Sequence, residues 1–108
     1  MKSWLGEKVK VKIDRQIGSK HHQYSTIYPV NYGYIPDTFS KVDREEIDAY
    51  VLGPNKPLKQ FKGVVKAVVY RTDSEIKLIV TDGRDFSVEE IEEQINFQEK
   101  FHRHRIIK

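Results

Sequence analysis

Apolar residues in this chain arrive in short runs, each closed by proline, glycine or a polar turn, and that punctuation points to a succession of strands and turns over most of its length. Residues 7–13 set the pattern. Val9, Val11 and Ile13 alternate with Lys8, Lys10 and Lys12, the period-two signature of a half-buried strand whose wet face carries lysines. Residues 16–25 are polar and read as a loop that exposes His21 and His22. Residues 27–36 are rich in aromatics, but two prolines and a glycine leave room only for a short strand between constrained turns. Residues 46–53 form a third strand, with Ile47, Ala49 and Val51 on one face and Asp48, Tyr50 and Leu52 on the other. Gly53-Pro54-Asn55-Lys56-Pro57 ends it. Two β-branched runs, 64–70 and 77–80, are joined by the short polar link 71–75, as in an antiparallel hairpin.

After residue 86 the period changes. Ser87-Val88-Glu89-Glu90 is a capping-box pattern, and Val88, Ile91 and Ile95 then share a helical face that Phe101 continues. Acids crowd the start of this segment (Glu89, Glu90, Glu92, Glu93) and bases its end (Lys100, Arg103, Arg105), which suits a helix dipole. The predicted fold is mainly β (α+β): a small five-stranded, OB-like β-barrel with a C-terminal α-helix, in one domain over residues 1–108.

Composition narrows the chemistry. The chain has no cysteine, which removes disulfides, thiolate metal sites and cysteine nucleophiles together. No run approaches the roughly 20 apolar residues of a membrane span. The N-terminus turns charged at Glu7 before a signal-type apolar stretch forms, so a cytoplasmic protein is expected. A net charge of +3 suits a polyanionic partner, nucleic acid or a small phosphate compound, without choosing between them.

The segment Asp43-Arg44-Glu45-Glu46-Ile47-Asp48 packs four carboxylates into six residues. If they converge, they need a counterion, and a hard divalent cation such as Mg2+ prefers oxygen ligands. Asp73 and Glu75, on the hairpin link, form a second carboxylate pair that folding can bring opposite the first. On spacing alone, a solvated acidic turn remains the alternative. His21 and His22 are adjacent in an extended loop and point apart, while His102 and His104 do not share a helical face.

The wider context resembles one family. Tyr28-Pro29-Val30-Asn31-Tyr32-Gly33-Tyr34-Ile35-Pro36, followed within a dozen residues by an Asp-x-x-x-x-Asp signature, is similar to the soluble inorganic pyrophosphatases, and the likeness runs on from Gly63 through Lys77-Leu78 to Val80. The resemblance implies magnesium-dependent hydrolysis of inorganic pyrophosphate to two phosphates. It implies Asp43, Asp48, Asp73 and Glu75 as metal ligands, Glu45 as the group that helps activate the attacking water, and Tyr32 as a catalytic, phosphate-contacting tyrosine. Lys77 and Arg15 would meet phosphate. Homo-oligomers, as formed by the family's bacterial members, are implied as well.

Several positions depart from the family pattern. Glu46 replaces the signature proline, Glu45 the middle aspartate and Glu75 a turn aspartate. Phe101-His102 stands where a Tyr-Lys pair is expected, and the stretch before Tyr28 is short. A second function class therefore stays open: a weakly active or non-catalytic barrel module that binds a phosphorylated ligand or nucleic acid, with Tyr28, Tyr32 and Tyr34 as candidate stacking rings. Converging acids favour the enzyme, because a nucleic-acid groove would exclude them.

Overall fold

The computed structural model describes residues 4–21, 25–36, 38 and 46–108. Along these residues run β1 (Lys8–Arg15), β2 (Asn31–Ile35), β3 (Ile47–Val51), β4 (Gln60–Arg71), β5 (Ile76–Thr81), α1 (Val88–Glu99) and β6 (His104–Ile107). The sheet order is β1-β2-β3-β5-β4-β6, and a further pairing of β1 with β4 closes the first five strands into a barrel. Only β3 and β5 run parallel; the other pairs are antiparallel. The long β4 makes closure feasible: its first residues pair with β1 and its last four with β6.

Two glycines allow the chain to pass close to itself. A Cβ at Gly33 would lie 1.8 Å from the Lys12 carbonyl oxygen, and one at Gly63 would lie 2.3 Å from that of Thr81. Neither separation is sterically accessible, so β2 and β4 carry glycine where neighbouring backbone crosses.

Two apolar layers follow from strand alternation. Val11, Ile35, Ala49, Val51, Val65, Leu78 and Val80 belong to one buried cluster drawn from all five barrel strands, which makes it the barrel interior. The other cluster, Tyr28, Val30, Tyr32, Tyr50, Leu52, Ala67, Val69 and Ile79, lies against Ile91 and Ile95 of α1. It is the outer face of the sheet, roofed by the helix. A register shift between Val65 and Ala67 moves β4 from one layer to the other, so Val65 and Val68 face inward while Ala67 and Val69 face the helix.

The five predicted strands and the hairpin are all present. The capping box is too: Ser87 Oγ accepts from Glu90 N–H at 3.0 Å and Glu90 Oε1 accepts from Ser87 N–H at 2.8 Å. The C-terminus differs from expectation. The helix stops at Glu99, no basic residue lies in its last turn, and Phe101 is exposed beyond it. Residues 104–107 instead form β6, because the outer edge of β4 offers backbone donors and acceptors that a continued helix would leave unpaired. Val88 is also exposed rather than on the buried helical face. His21 is not a solvated loop residue: it is buried, stacks on Tyr28 at 5.4 Å between centroids, and hydrogen-bonds Gln98 Oε1 through Nε2 at 2.8 Å.

Candidate active site

Strand register builds the site on the outer face. Asp48 on β3 stands directly beside Lys77 on β5 and opposite Tyr34 on β2, while Tyr32 lies two residues away on the same face as Tyr34. Long side chains two residues apart on one face reach each other diagonally. The Lys77 ammonium donates to Tyr32 Oη at 2.5 Å, and Tyr32 O–H donates to Asp48 Oδ2 at 2.7 Å. The same ammonium is 3.4 Å from Asp48 Oδ2 and 4.9 Å from the Tyr32 ring centroid.

Exposure is uneven along this chain of donors. The Lys77 side chain is 6% exposed, whereas that of Asp48 is 39% exposed. The cation is therefore fixed inside while its carboxylate partner keeps a free, water-facing side. Burial, then the charge of Asp48, raises the Tyr32 hydroxyl well above its usual range, so the phenol stays neutral and remains a donor.

A bulge brings in β1. Ile13 pairs with Gly33 and Arg15 with Tyr32, which leaves Asp14 as an extra residue. Asp14 is exposed by surface area, yet its packed surroundings remove enough water that desolvation, followed by the charge of Asp48, raises its carboxyl; Arg15 and Lys77 oppose that shift. Burial raises the Tyr28 hydroxyl, and the nearby charge of Arg15 opposes that shift. Two carboxylates, two cations and a neutral phenol thus share one patch. The like charges of Asp14 and Asp48 would be relieved by a cation, and Lys77 and Arg15 suit anionic oxygens.

The hairpin acids sit in a different setting. Arg71 at the end of β4 pairs with Asp73 at 2.8 Å through Nη2 and with Glu75 at 3.2 Å through Nη1, and its Nε faces Glu99 Oε1 at 3.9 Å. Desolvation works against the Asp73 charge, but the Glu75 backbone N–H and the Arg71 guanidinium outweigh it and lower the carboxyl below its usual value. Glu99 is fully buried and also accepts from Tyr50 O–H at 2.5 Å, and Gln98 Nε2 donates to that same Tyr50 oxygen at 2.6 Å.

The structure gathers four of the residues singled out in the sequence, namely Arg15, Tyr32, Asp48 and Lys77, into one patch. Asp73 and Glu75 are engaged by Arg71. Asp43 and Glu45 lie outside the described residues. Among the described residues no three His, Cys, Asp or Glu side chains form a metal-holding group. Sequence reading missed Asp14, which the bulge adds to this strand, and the polar set Arg71, Tyr50, Gln98 and Glu99 beneath the helix. The Glu99 signal was faint: a carboxylate on the helical flank adjoining Ile91 and Ile95.

Comparison with known proteins agrees with this architecture. An OB-like barrel roofed by one helix is the class that the fold defines. A family model described as inorganic pyrophosphatase matches residues 4–99. The chain belongs to the inorganic pyrophosphatase family, which places it among the diphosphatase enzymes. Solved structures support the fold. The inorganic pyrophosphatase from Ehrlichia chaffeensis superposes with a TM-score of 0.74 at 18% identity, covering 96% of this chain and 86% of that one. The Helicobacter pylori enzyme gives 0.67 at 19% identity, with 92% and 78% covered, and that of Thermus thermophilus 0.66 at 17%, with 94% and 81% covered. None of the curated proteins matches the chain.

Proposed function

We propose that this protein hydrolyses inorganic pyrophosphate to two phosphates with Mg2+, at the patch formed by Asp14, Arg15, Tyr32, Asp48 and Lys77. The single observation that carries this reading is the donor chain from Lys77 through Tyr32 to a water-facing Asp48, in a chain that belongs to the inorganic pyrophosphatase family.

The donor chemistry on this side fits a hard cation. Asp48 offers exposed oxygen, and Asp14 adds a second carboxylate close enough for its ionisation to feel Asp48. Asp43, which lies outside the described residues, would complete the set. The hairpin pair, Asp73 and Glu75, fits less well, because Arg71 already holds both carboxylates. When bound, magnesium neutralises phosphate charge and lowers the pKa of coordinated water from about 15.7 toward neutrality.

The protein's own groups supply the rest. Lys77 and Arg15 hold phosphate oxygens, and because the Lys77 ammonium is already desolvated and fixed, it needs no reorganisation as charge develops there. Tyr32 orients Lys77 and Asp48 in the resting site and can turn its neutral O–H onto a phosphate oxygen. Glu45 would accept the proton of the attacking water. The alternative, a barrel module binding nucleic acid, is weakened by burial: the Tyr28 and Tyr32 rings pack on each other and on Phe97 and Tyr50 instead of facing solvent.

The test is phosphate release from pyrophosphate with and without Mg2+. Release should need the metal and fall roughly 100-fold or more in Asp48→Asn; undiminished release in that variant defeats the assignment. Among the described residues no helix is long and apolar enough to cross a membrane. We further propose a single domain over residues 1–108 in a cytoplasmic homo-oligomer. Light scattering on the purified protein that returns the mass of one chain would reject the oligomer.

A further inference from the structure

We propose that Arg71 is a built-in cation that takes the place of a divalent ion between the hairpin acids, so that metal binding in this protein is confined to the Asp48 side. The proposal deepens the magnesium reading above and rests on it.

The geometry is specific. Two nitrogens of the guanidinium pair closely, Nη2 with Asp73 at 2.8 Å and Nη1 with Glu75 at 3.2 Å, while Nε faces Glu99 Oε1 at 3.9 Å, an ion pair without a hydrogen bond. Nη2 also lies 3.0 Å from His102 Nδ1. The Arg71 side chain is 8% exposed, so it is not a surface arginine that happened to swing onto an acid. It is anchored from both directions: Thr72 N–H bonds the Arg103 carbonyl, and Arg71 N–H bonds that of Glu75. An arginine keeps its charge at any pH the protein survives, and its planar fork suits several carboxylates at once.

One guanidinium does not cancel three carboxylates. It does occupy the point where they converge, and a hard cation brought there would meet a covalently tethered positive charge. A bound metal would need Asp73 and Glu75 to turn away from Arg71, leaving the buried guanidinium only His102 Nδ1 and the more distant Glu99. Exposure does not separate the two sides, since Asp73 is as open to water as Asp48. Occupancy does, because Asp73 accepts on Oδ2 from Arg71 and on Oδ1 from the Glu75 N–H, whereas Tyr32 and Lys77 both meet Asp48 on Oδ2.

The experiment counts bound Mn2+ by electron paramagnetic resonance on the whole purified chain, with thermal melts followed by circular dichroism. The double variant Asp73→Asn/Glu75→Gln should bind as many Mn2+ ions as the native protein, with affinity unchanged within about threefold. Arg71→Met should gain one Mn2+, and Mn2+ should raise its melting temperature more than it raises that of the native protein. Loss of an ion, or a tenfold weaker affinity, in the double variant overturns the proposal, as does a folded Arg71→Met that gains none. If Arg71→Met does not fold even with Mn2+, the double variant decides. Loss of Mn2+ in Asp48→Asn is read separately and tests the magnesium reading: failure there, with the Arg71→Met gain intact, sinks that reading and leaves the role of Arg71 standing.

Discussion

Two groups of acids in this molecule sit beside a basic side chain, and the fold treats them in opposite ways. At the start of β3, Asp48 shares a buried ammonium with Tyr32 but keeps a face in water. At the β4–β5 hairpin, Arg71 is surrounded by Asp73, Glu75 and the fully buried Glu99. Water reaches Asp73 as freely as Asp48, but both oxygens of Asp73 already accept, from Arg71 and from the Glu75 N–H, whereas Tyr32 and Lys77 both meet Asp48 on Oδ2. Acidity in the sequence is the same in both; the difference lies in how many carboxylate oxygens the chain's own donors occupy.

The sharpest way to break the comparison is at the closed end. Arg71→Met strands the Glu99 carboxylate in the core and should cost about 3–5 kcal/mol of stability, measured by urea melts, while adding Glu99→Gln should restore most of it. A loss under about 1 kcal/mol would mean that the hairpin is no more closed than Asp48. At the open end, Asp48→Asn leaves Lys77 its bond to Tyr32 and should cost less, about 1–2 kcal/mol, while lowering phosphate release roughly 100-fold. Stability and activity thus separate by region. Lys77→Gln should reduce kcat/KM by about tenfold to 100-fold through lost phosphate stabilisation. Tyr32→Phe, which removes one hydroxyl from the donor chain, should cost about 1.5 kcal/mol, roughly tenfold in rate.

The smallest expected effect lies away from both groups. His104 Nδ1 faces the His102 carbonyl at 2.8 Å and Nε2 faces the Glu92 carboxylate at 2.8 Å, so both nitrogens meet acceptors and the ring is held as the cation. Burial opposes this, but the His102 carbonyl and Glu92 prevail and raise the pKa above the ordinary imidazole value of 6.5. Because the folded value is the higher one, the stabilisation is fully present below about pH 6.5 and is lost as pH rises through the raised value. The stability gap between native protein and Glu92→Gln, about 1 kcal/mol at most, should therefore shrink between pH 6 and pH 9. A gap that widens over that range would contradict the assigned protonation.

Much of the barrel was legible because strand alternation is a local property: 7–13 and 46–53 each declare their faces within a few residues, while 64–70 reads only as a β-branched run because the shift between Val65 and Ala67 breaks its alternation. The interior cluster of valines, Ala49 and Leu78 needs nothing more. The outer face was harder. Tyr50 and Leu52 share a face with Asp48, and nothing local distinguishes a residue under a helix from one in water. The helix end was misread because β6 depends on the open edge of a strand more than thirty residues earlier in the chain, which no periodicity within 100–108 reveals. Asp48, Tyr32 and Lys77 emerged from motif resemblance, but their mutual hydrogen bonds depend on the register of three strands. Asp14 could not be found by alternation, since the bulge that aims it breaks alternation.

That bulge lets two neighbours in sequence, an acid and a base, share one face of a strand, which strict alternation forbids. Ile13 and Arg15 already pair with consecutive residues of β2, Gly33 and Tyr32, so a chain without Asp14 would pleat regularly there and keep Arg15 opposite Tyr32. The extra residue is thus an insertion into an otherwise continuous ladder, added without disturbing either neighbour's register.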